Sequence, residues 1–338
     1  MSVLNIDKVI IAYKRLGKAL SNPTDILENS IISAQNSNAW FTEENVRKSV
    51  SSFAEMLNDN DIDEWFKSIK FSNSPKKIGL ILAGNIPMVG LHDVLTVLAT
   101  GNIALIKLSS SDDKLIKTII SELINTETGF EDRIEYVERL KDFDAVIATG
   151  SNNSSRYFDY YFGKVPNIIR KNRNSVAVLN GDESFDDIQN LGADIFDYFG
   201  LGCRNVSKIY YPKGYDIAKF YEGIESFQPT INHFKYNNNY DYNKSIYLVN
   251  TAKHFDNGFL LLKEDESLAS PLAVLFYEEY NELKEVEEKL KDKSAQIQCV
   301  ITNSPLNLKT YGFGQSQHPK LWDYADDVNT VEFLNELI

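Results

Sequence analysis

A chain of 338 residues is too long for one small core and predicts two domains. Its formal net charge of −13 argues against nucleic acid as a main partner, because phosphate binding asks for a basic face. Cys203 and Cys299 give no disulfide framework and no apolar run is long enough for a bilayer, so the expectation is a cytoplasmic protein without a membrane span.

The chain opens with helix-like segments up to about residue 70. Val9, Tyr13, Leu16 and Leu20 form one apolar stripe, and Val46, Val50, Phe53 and Leu57 form another. Asn22-Pro23-Thr24 and Asn36-Ser37-Asn38 break the pattern, which reads as a helical layer covering a sheet. From Lys77 the character changes. Lys77–Ala83 is a near-continuous apolar run, as in a strand buried on both faces of a parallel sheet, and it ends in the turn Gly84-Asn85-Ile86-Pro87. A helix through Val89, Val94 and Leu98 closes at Gly101. Asn102–Leu108 is a second buried strand, after which Ser109–Asp112 caps a helix from Asp113 to Ile124. Asp144–Ser151 is a third strand, with a small-residue turn at its end. Strand-helix-strand-helix-strand implies a doubly wound sheet with ligands at the carboxyl ends of its strands. Those ends carry Asn85, Lys107, Ser109, Ser110, Gly150 and Ser151.

Ser175–Leu179 opens a second unit. Phe185, Ile188, Leu191, Ile195 and Phe199 then recur at helical spacing, and Gly200 stands where a helix ends in a left-handed residue. Gly202 removes a side chain just before Cys203, and Ile209-Tyr210-Tyr211 follows as a strand. This presents a cysteine on a glycine turn near backbone N–H groups, the setting of a nucleophilic thiol; a buried structural cysteine is the competing reading. Residues 232 to 245 read as a polar surface loop. Leu272–Phe276 and Gln298–Ile301 read as core strands, with Cys299 packed, and Glu278 to Lys293 as a solvated charged helix. His92, His233, His254 and His318 fall in no metal-ligand spacing, and no G-x-G-x-x-G occurs, since Gly200 and Gly202 are followed by Asn205.

Four pieces taken in order carry a resemblance: Gly84-Asn85-Ile86-Pro87, Gly101–Ser110, Gly200-Leu201-Gly202-Cys203 and Phe313-Gly314-Gln315. With Asp323–Thr330 near the end, they resemble the LuxC-type acyl-CoA reductases of the aldehyde dehydrogenase superfamily, from about Lys77 onward, the preceding segment matching only loosely. The resemblance implies an α/β, aldehyde dehydrogenase-like fold: a helical segment and doubly wound dinucleotide-binding domain over residues 1–174, a second α/β catalytic domain over 175–310, and a tail over 311–338 returning to the cleft. It implies NADPH-dependent reduction of a fatty acyl thioester of coenzyme A or acyl carrier protein to an aldehyde, with Cys203 as nucleophile and Asn85 as oxyanion donor. An ordinary turn asparagine is the alternative for Asn85. For the cofactor it implies Lys107, Ser109, Ser110 and the turn Thr149-Gly150-Ser151; a lysine reaching water from a strand end competes for Lys107. Ser110 stands where NAD-preferring members often carry glutamate, which leaves room for a 2′-phosphate and favours NADPH (NADP).

Two departures follow. Members that hydrolyse their acyl-enzyme place a glutamate base upstream of the cysteine; that position falls on Ile169 or Arg170, as suits a reductase. Arg170, Lys171 and Arg173 beside it form a basic cluster that could meet phosphates or simply face water. The glutamate that holds the nicotinamide ribose falls at Ser267, with Glu266 one residue off. Other readings left open are a short-chain CoA-acylating aldehyde dehydrogenase and a catalytically silent partner subunit of a synthase. Homo-oligomers are open as well.

Overall fold

The computed structural model describes residues 4–337, and the chain divides into two compact units. One runs to Asn172 and takes up the chain again from His318; the other is Arg173–Gln317.

In the first unit, helices α1 (Ile6–Ser21), α2 (Asp25–Ser33), α3 (Glu43–Met56) and α4 (Asp59–Phe66) precede any strand. Each begins at a polar cap: the side chains of Asn5, Thr24, Thr42 and Asn58 accept the N–H groups of Lys8, Leu27, Asn45 and Asp61. The two apolar stripes are buried and share one core with Leu80, Ile106 and Ala145 of the sheet, so the helices cover it as the periodicity indicates. The sheet comprises β1 (Lys77–Ile81), β2 (Ile103–Lys107), β3 (Ile134–Tyr136), β4 (Ala145–Thr149) and β5 (Asn167–Arg170). Helices α5 (Leu91–Ala99), α6 (Asp113–Thr126) and α7 (Asn152–Phe162) make crossovers. The order is β3-β2-β1-β4-β5, all parallel, with Leu80 opposite Ile106 on one side and Ile147 on the other. β3 and β5 go unread in the sequence because they are short edges without a continuous apolar run.

The second unit holds β6 (Asn174–Val178), α8 (Phe185–Phe196), β7 (Val206–Pro212), α9 (Ile217–Gly223), α10 (Phe234–Val249), β8 (Phe255–Asp256), β9 (Leu261–Glu264), β10 (Val274–Tyr280), α11 (Leu283–Asp292) and β11 (Ile297–Ile301). Its sheet order is β11-β6-β7-β10-β9-β8, parallel except where β8 meets β9. Two expectations are corrected here. Residues 232–245 are largely helix α10, because Tyr236, Tyr240, Asn243 and Tyr247 bury one face; tyrosine hides an apolar period from a polarity count. Glu278 belongs to β10, where it pairs with Lys208 and Lys289 instead of lying on a solvated helix.

The tail from His318 packs in the first unit and ends in α12 (Thr330–Asn335). There Arg170 is corrected too. It is 4% exposed, paired to Asp93 of α5 and donating to the Thr330 hydroxyl at 3.0 Å, so it ties the tail down from inside the unit instead of facing outward to phosphates or water. Lys171, its exposed neighbour, pairs with Asp159 at 3.6 Å. No helix among the described residues is long and apolar enough to cross a membrane.

Candidate active site

Cys203 is exposed, on the turn between α8 and β7. The chain reaches it through an unusual stretch. α8 stops at Phe196, before the last turn that the spacing predicts, and Phe185 at its start is exposed instead of buried. Tyr198, Phe199 and Gly200 follow with φ of 53°, 57° and 76°, three left-handed residues in a row. Only the glycine takes this conformation without strain, and the two aromatic residues are held in it by burial. The Phe199 ring lies 4.3 Å from that of His233.

Asn205, two residues past the cysteine, braces the turn. Its Oδ1 accepts the Gly202 N–H at 2.8 Å, and its Nδ2 donates to the carbonyls of Asp194 at 3.1 Å and Asp197 at 2.9 Å. One buried amide thus satisfies open carbonyls at the end of α8 and fixes the backbone before Cys203. Behind the turn, the Ser175 hydroxyl donates to the Cys203 carbonyl at 2.9 Å and accepts the Cys299 N–H at 3.1 Å. Cys299 is buried, in agreement with a packing role, and Arg204 donates to its sulfur at 3.4 Å. Asp194 turns its carboxylate to the N–H groups of Gly314 (2.7 Å) and Ser316 (3.0 Å), so the Phe313-Gly314-Gln315 loop hangs on the helix that leads to the cysteine. Burial pushes the Asp194 carboxyl up, and its bonds to Ser316 and Gly314 offset part of that.

The other candidate positions except Glu266 lie in the first unit, at the carboxyl ends of β1, β2 and β4. Asn85 is exposed in the loop after β1, and Lys107, half-buried, is the last residue of β2. Ser109 and Ser110 follow, and the Ser109 hydroxyl accepts the Ser111 N–H at 3.3 Å. Gly84 lets the β1 and β2 loops touch: a Cβ there would meet Ser109 Oγ at 2.5 Å. Thr149 ends β4, Gly150 packs beneath α7, and the Ser151 side chain caps that helix by accepting the Ser154 N–H at 3.3 Å. Asp112 occupies the cap position of α6 yet makes no cap bond, contrary to the expectation for Ser109–Asp112; its Oδ2 accepts the Met88 N–H at 2.6 Å. Burial pushes its carboxyl up to about 7.

Glu266 sits exposed in the loop between β9 and β10 of the second unit, with its carbonyl accepting from Lys293 at 3.0 Å. β7 holds this loop: the Ser207 hydroxyl donates to the Leu268 carbonyl at 2.7 Å and Lys208 Nζ to that of Asp265 at 2.7 Å. Lys208 is fully buried against Glu278. Burial lowers its pKa, and the carboxylate partner opposes that. Asn205, Ser175, Asp194, Asp112 and Lys208 escape a reading by motif. The signal that could have found Asp194 and Lys208 is a polar residue on an otherwise apolar face or strand. Among the described residues, no three His, Cys, Asp or Glu side chains are grouped to hold a metal ion.

The family model described as Acyl-CoA reductase (LuxC) matches residues 13–218, more than half of the chain. The chain belongs to the LuxC acyl-CoA reductase family. The matched span starts well before Lys77, so the N-terminal helices are part of the LuxC pattern; it takes in Asn85, Lys107 and Cys203 and stops short of Glu266 and Gly314. Being LuxC-type, the protein is an oxidoreductase. Its fold is that of aldehyde dehydrogenases. Aldehyde dehydrogenase 21 from Physcomitrella patens, solved with succinate, superposes with a TM-score of 0.67 at 12% identity over 98% of this chain and 84% of that one. An E. coli NADP-dependent enzyme gives a TM-score of 0.66 at 12% identity over 89% and 74%. A P. syringae indole-3-acetaldehyde dehydrogenase variant, solved with NAD+, gives 0.63 at 12% over 88% and 72%. No curated protein matches this chain in sequence.

Proposed function

We propose that this LuxC-family oxidoreductase reduces a fatty acyl thioester, carried by coenzyme A or acyl carrier protein, to an aldehyde through an acyl-enzyme on Cys203. The observation that supports this reading is the exposed cysteine on a turn braced by Asn205, inside the family match. The Cys203 thiolate attacks the carbonyl carbon, and the carbon–sulfur bond to the carrier breaks, releasing the carrier as a thiol once it takes up a proton. The Cys203 backbone N–H and the Asn85 amide are assigned as donors to the oxyanion; one such donor is worth about 2.7–4 kcal/mol of transition-state stabilisation.

A dinucleotide fits the first unit. Its strand order reverses at β1, and the strand ends nearby carry a half-buried lysine and small hydroxyl residues with no exposed carboxylate at Ser110. Lys107, Ser109, Ser110 and Thr149-Gly150-Ser151 are assigned to hold NADPH, with Glu266 toward the nicotinamide ribose. NADPH, when bound, supplies the hydride that reduces the acyl thioester. Cys203 then leaves as thiolate when the thiohemiacetal collapses to aldehyde. With Ile169 and Arg170 at the place of the hydrolytic glutamate, no carboxylate stands there to activate water against the acyl-enzyme.

The test is intact-protein mass spectrometry after incubation with hexadecanoyl-CoA in the absence of NADPH. An acyl adduct that maps to Cys203, is absent in Cys203→Ala, and is discharged with release of aldehyde on adding NADPH is the expected result. No adduct with hexadecanoyl-CoA or with an acyl carrier protein thioester would overturn the reading.

A further inference from the structure

The loop that carries Asn85 is held more firmly than a surface turn needs. Met88, three residues on, is fully buried and left-handed at φ 59°, a conformation that a non-glycine residue keeps only where its surroundings impose it. Two side chains from different elements impose it. The Ser49 hydroxyl of α3 donates to the Pro87 carbonyl at 2.8 Å, and Asp112 Oδ2 accepts the Met88 N–H at 2.6 Å. The peptide between Pro87 and Met88 is thus gripped at both its carbonyl and its N–H.

Asp112 is the more telling of the two. It stands at the N-cap of α6, where a carboxylate normally bonds the first free N–H groups of its helix, and it makes no such bond. It is 3% exposed, and its second oxygen, Oδ1, has no hydrogen-bond partner among the described residues. Burying a carboxyl group with one oxygen unsatisfied is costly, and helix capping does not offset it. What the arrangement does secure is the Met88 N–H, and through it the path of the chain back to Asn85. The contact of Gly84 with Ser109 and Ser111 closes the other end of the loop against the same β2–α6 segment.

We propose that Asp112, with Ser49, is a positioning residue for acyl transfer, fixing the Gly84–Gly90 loop and with it the place of Asn85. This rests on the oxyanion reading of Asn85 given above. A donor that is misplaced by even an ångström loses much of its effect on rate.

The experiment is a single-turnover measurement of Cys203 acylation by hexadecanoyl-CoA in the full-length protein, recording rate constant and amplitude separately. Asp112→Ala is expected to lower the rate constant by roughly 10–100-fold with the amplitude retained. Asp112→Asn keeps an acceptor for Met88 and is expected to recover most of the rate. In an Asn85→Ala background, Asp112→Ala is expected to add little, because the group that the loop holds in place is gone. Amplitude lost at an unchanged rate constant would mark Asp112 as merely structural and overturn the proposal. If Asn85→Ala slows acylation and Asp112→Ala does not, the positioning role alone fails. If Asn85→Ala has no effect, the oxyanion reading fails and the proposal falls with it. Should Asp112→Ala not fold, Ser49→Ala decides: a reduced rate constant supports the proposal, and an unchanged one overturns it.

Discussion

At the scale of single residues, the groups that shape the candidate site are buried polar side chains rather than the motif residues themselves. Asn205 spends its amide on three backbone groups, and the geometry of the Cys203 turn follows from that one side chain. Asp112 has a thermodynamic signature of its own. Burial, aided by repulsion from Asp113 and opposed by the bond from Met88, raises its pKa from 3.8 to about 7. Below the unfolded value both states hold the proton and the group is neutral in the balance. As pH rises toward about 7 the unfolded chain ionises first, so stability falls, and the loss is complete above the folded value. The shift corresponds to roughly 4 kcal/mol. Asp112→Asn is therefore expected to flatten the decline in unfolding free energy between about pH 4 and pH 7, measured by urea titration at several pH values.

At the scale of elements, the Cys203 turn depends on a run of left-handed backbone that no helix or strand would tolerate. Gly200 has φ 76°, and a Cβ there would stand 3.2 Å from the Ile195 carbonyl. Gly200→Ala is expected to cost about 1–2 kcal/mol and to slow Cys203 acylation, checked by denaturant midpoints and single-turnover rates. The glycine is legible in the sequence because glycine marks such positions; the two aromatic residues that share its conformation are not, since Tyr198 and Phe199 complete an apolar spacing and read as a further helical turn. The same limit explains α10. Its tyrosines alternate with asparagines, and only the burial of Tyr236, Tyr240 and Tyr247 reveals the helical face. Buried central strands such as β1, β2 and β4 are legible because both their faces are apolar, whereas the edges β3 and β5 lack that signature.

At the scale of the whole molecule, the chain leaves the first unit at Asn172 and returns at His318, so that unit is closed by residues distant in sequence. Arg170 is the fastener within it. It pairs with Asp93 and reaches Thr330, and its Nε has no partner among the described residues. Removing one member of a buried ion pair leaves the other charge uncompensated. Arg170→Met is thus expected to destabilise the protein by about 3–5 kcal/mol, with much of that recovered in the double variant carrying Asp93→Leu. Thermal and urea unfolding of the three proteins would check this, and an additive double variant would show that the pair does not act as a unit.

By itself the sequence determined the α/β class, the apolar stripes of the N-terminal helices, the central strands and the LuxC-type motifs around Asn85, Lys107 and Cys203. These are written in short-range terms: apolar runs, polar breaks between them and glycines at fixed spacings. Only the tertiary structure decided which polar residues go inside. Arg170 sits in a basic cluster that reads as facing either phosphates or water, and Asp112 in a serine-rich stretch that reads as a helix cap. Each is instead buried by partners far along the chain, Asp93 and Thr330 for one and Met88 for the other. The physical reason is that a charged or hydrogen-bonding side chain carries no periodic signal of its own. Its environment depends on which distant groups the fold brings within bonding distance.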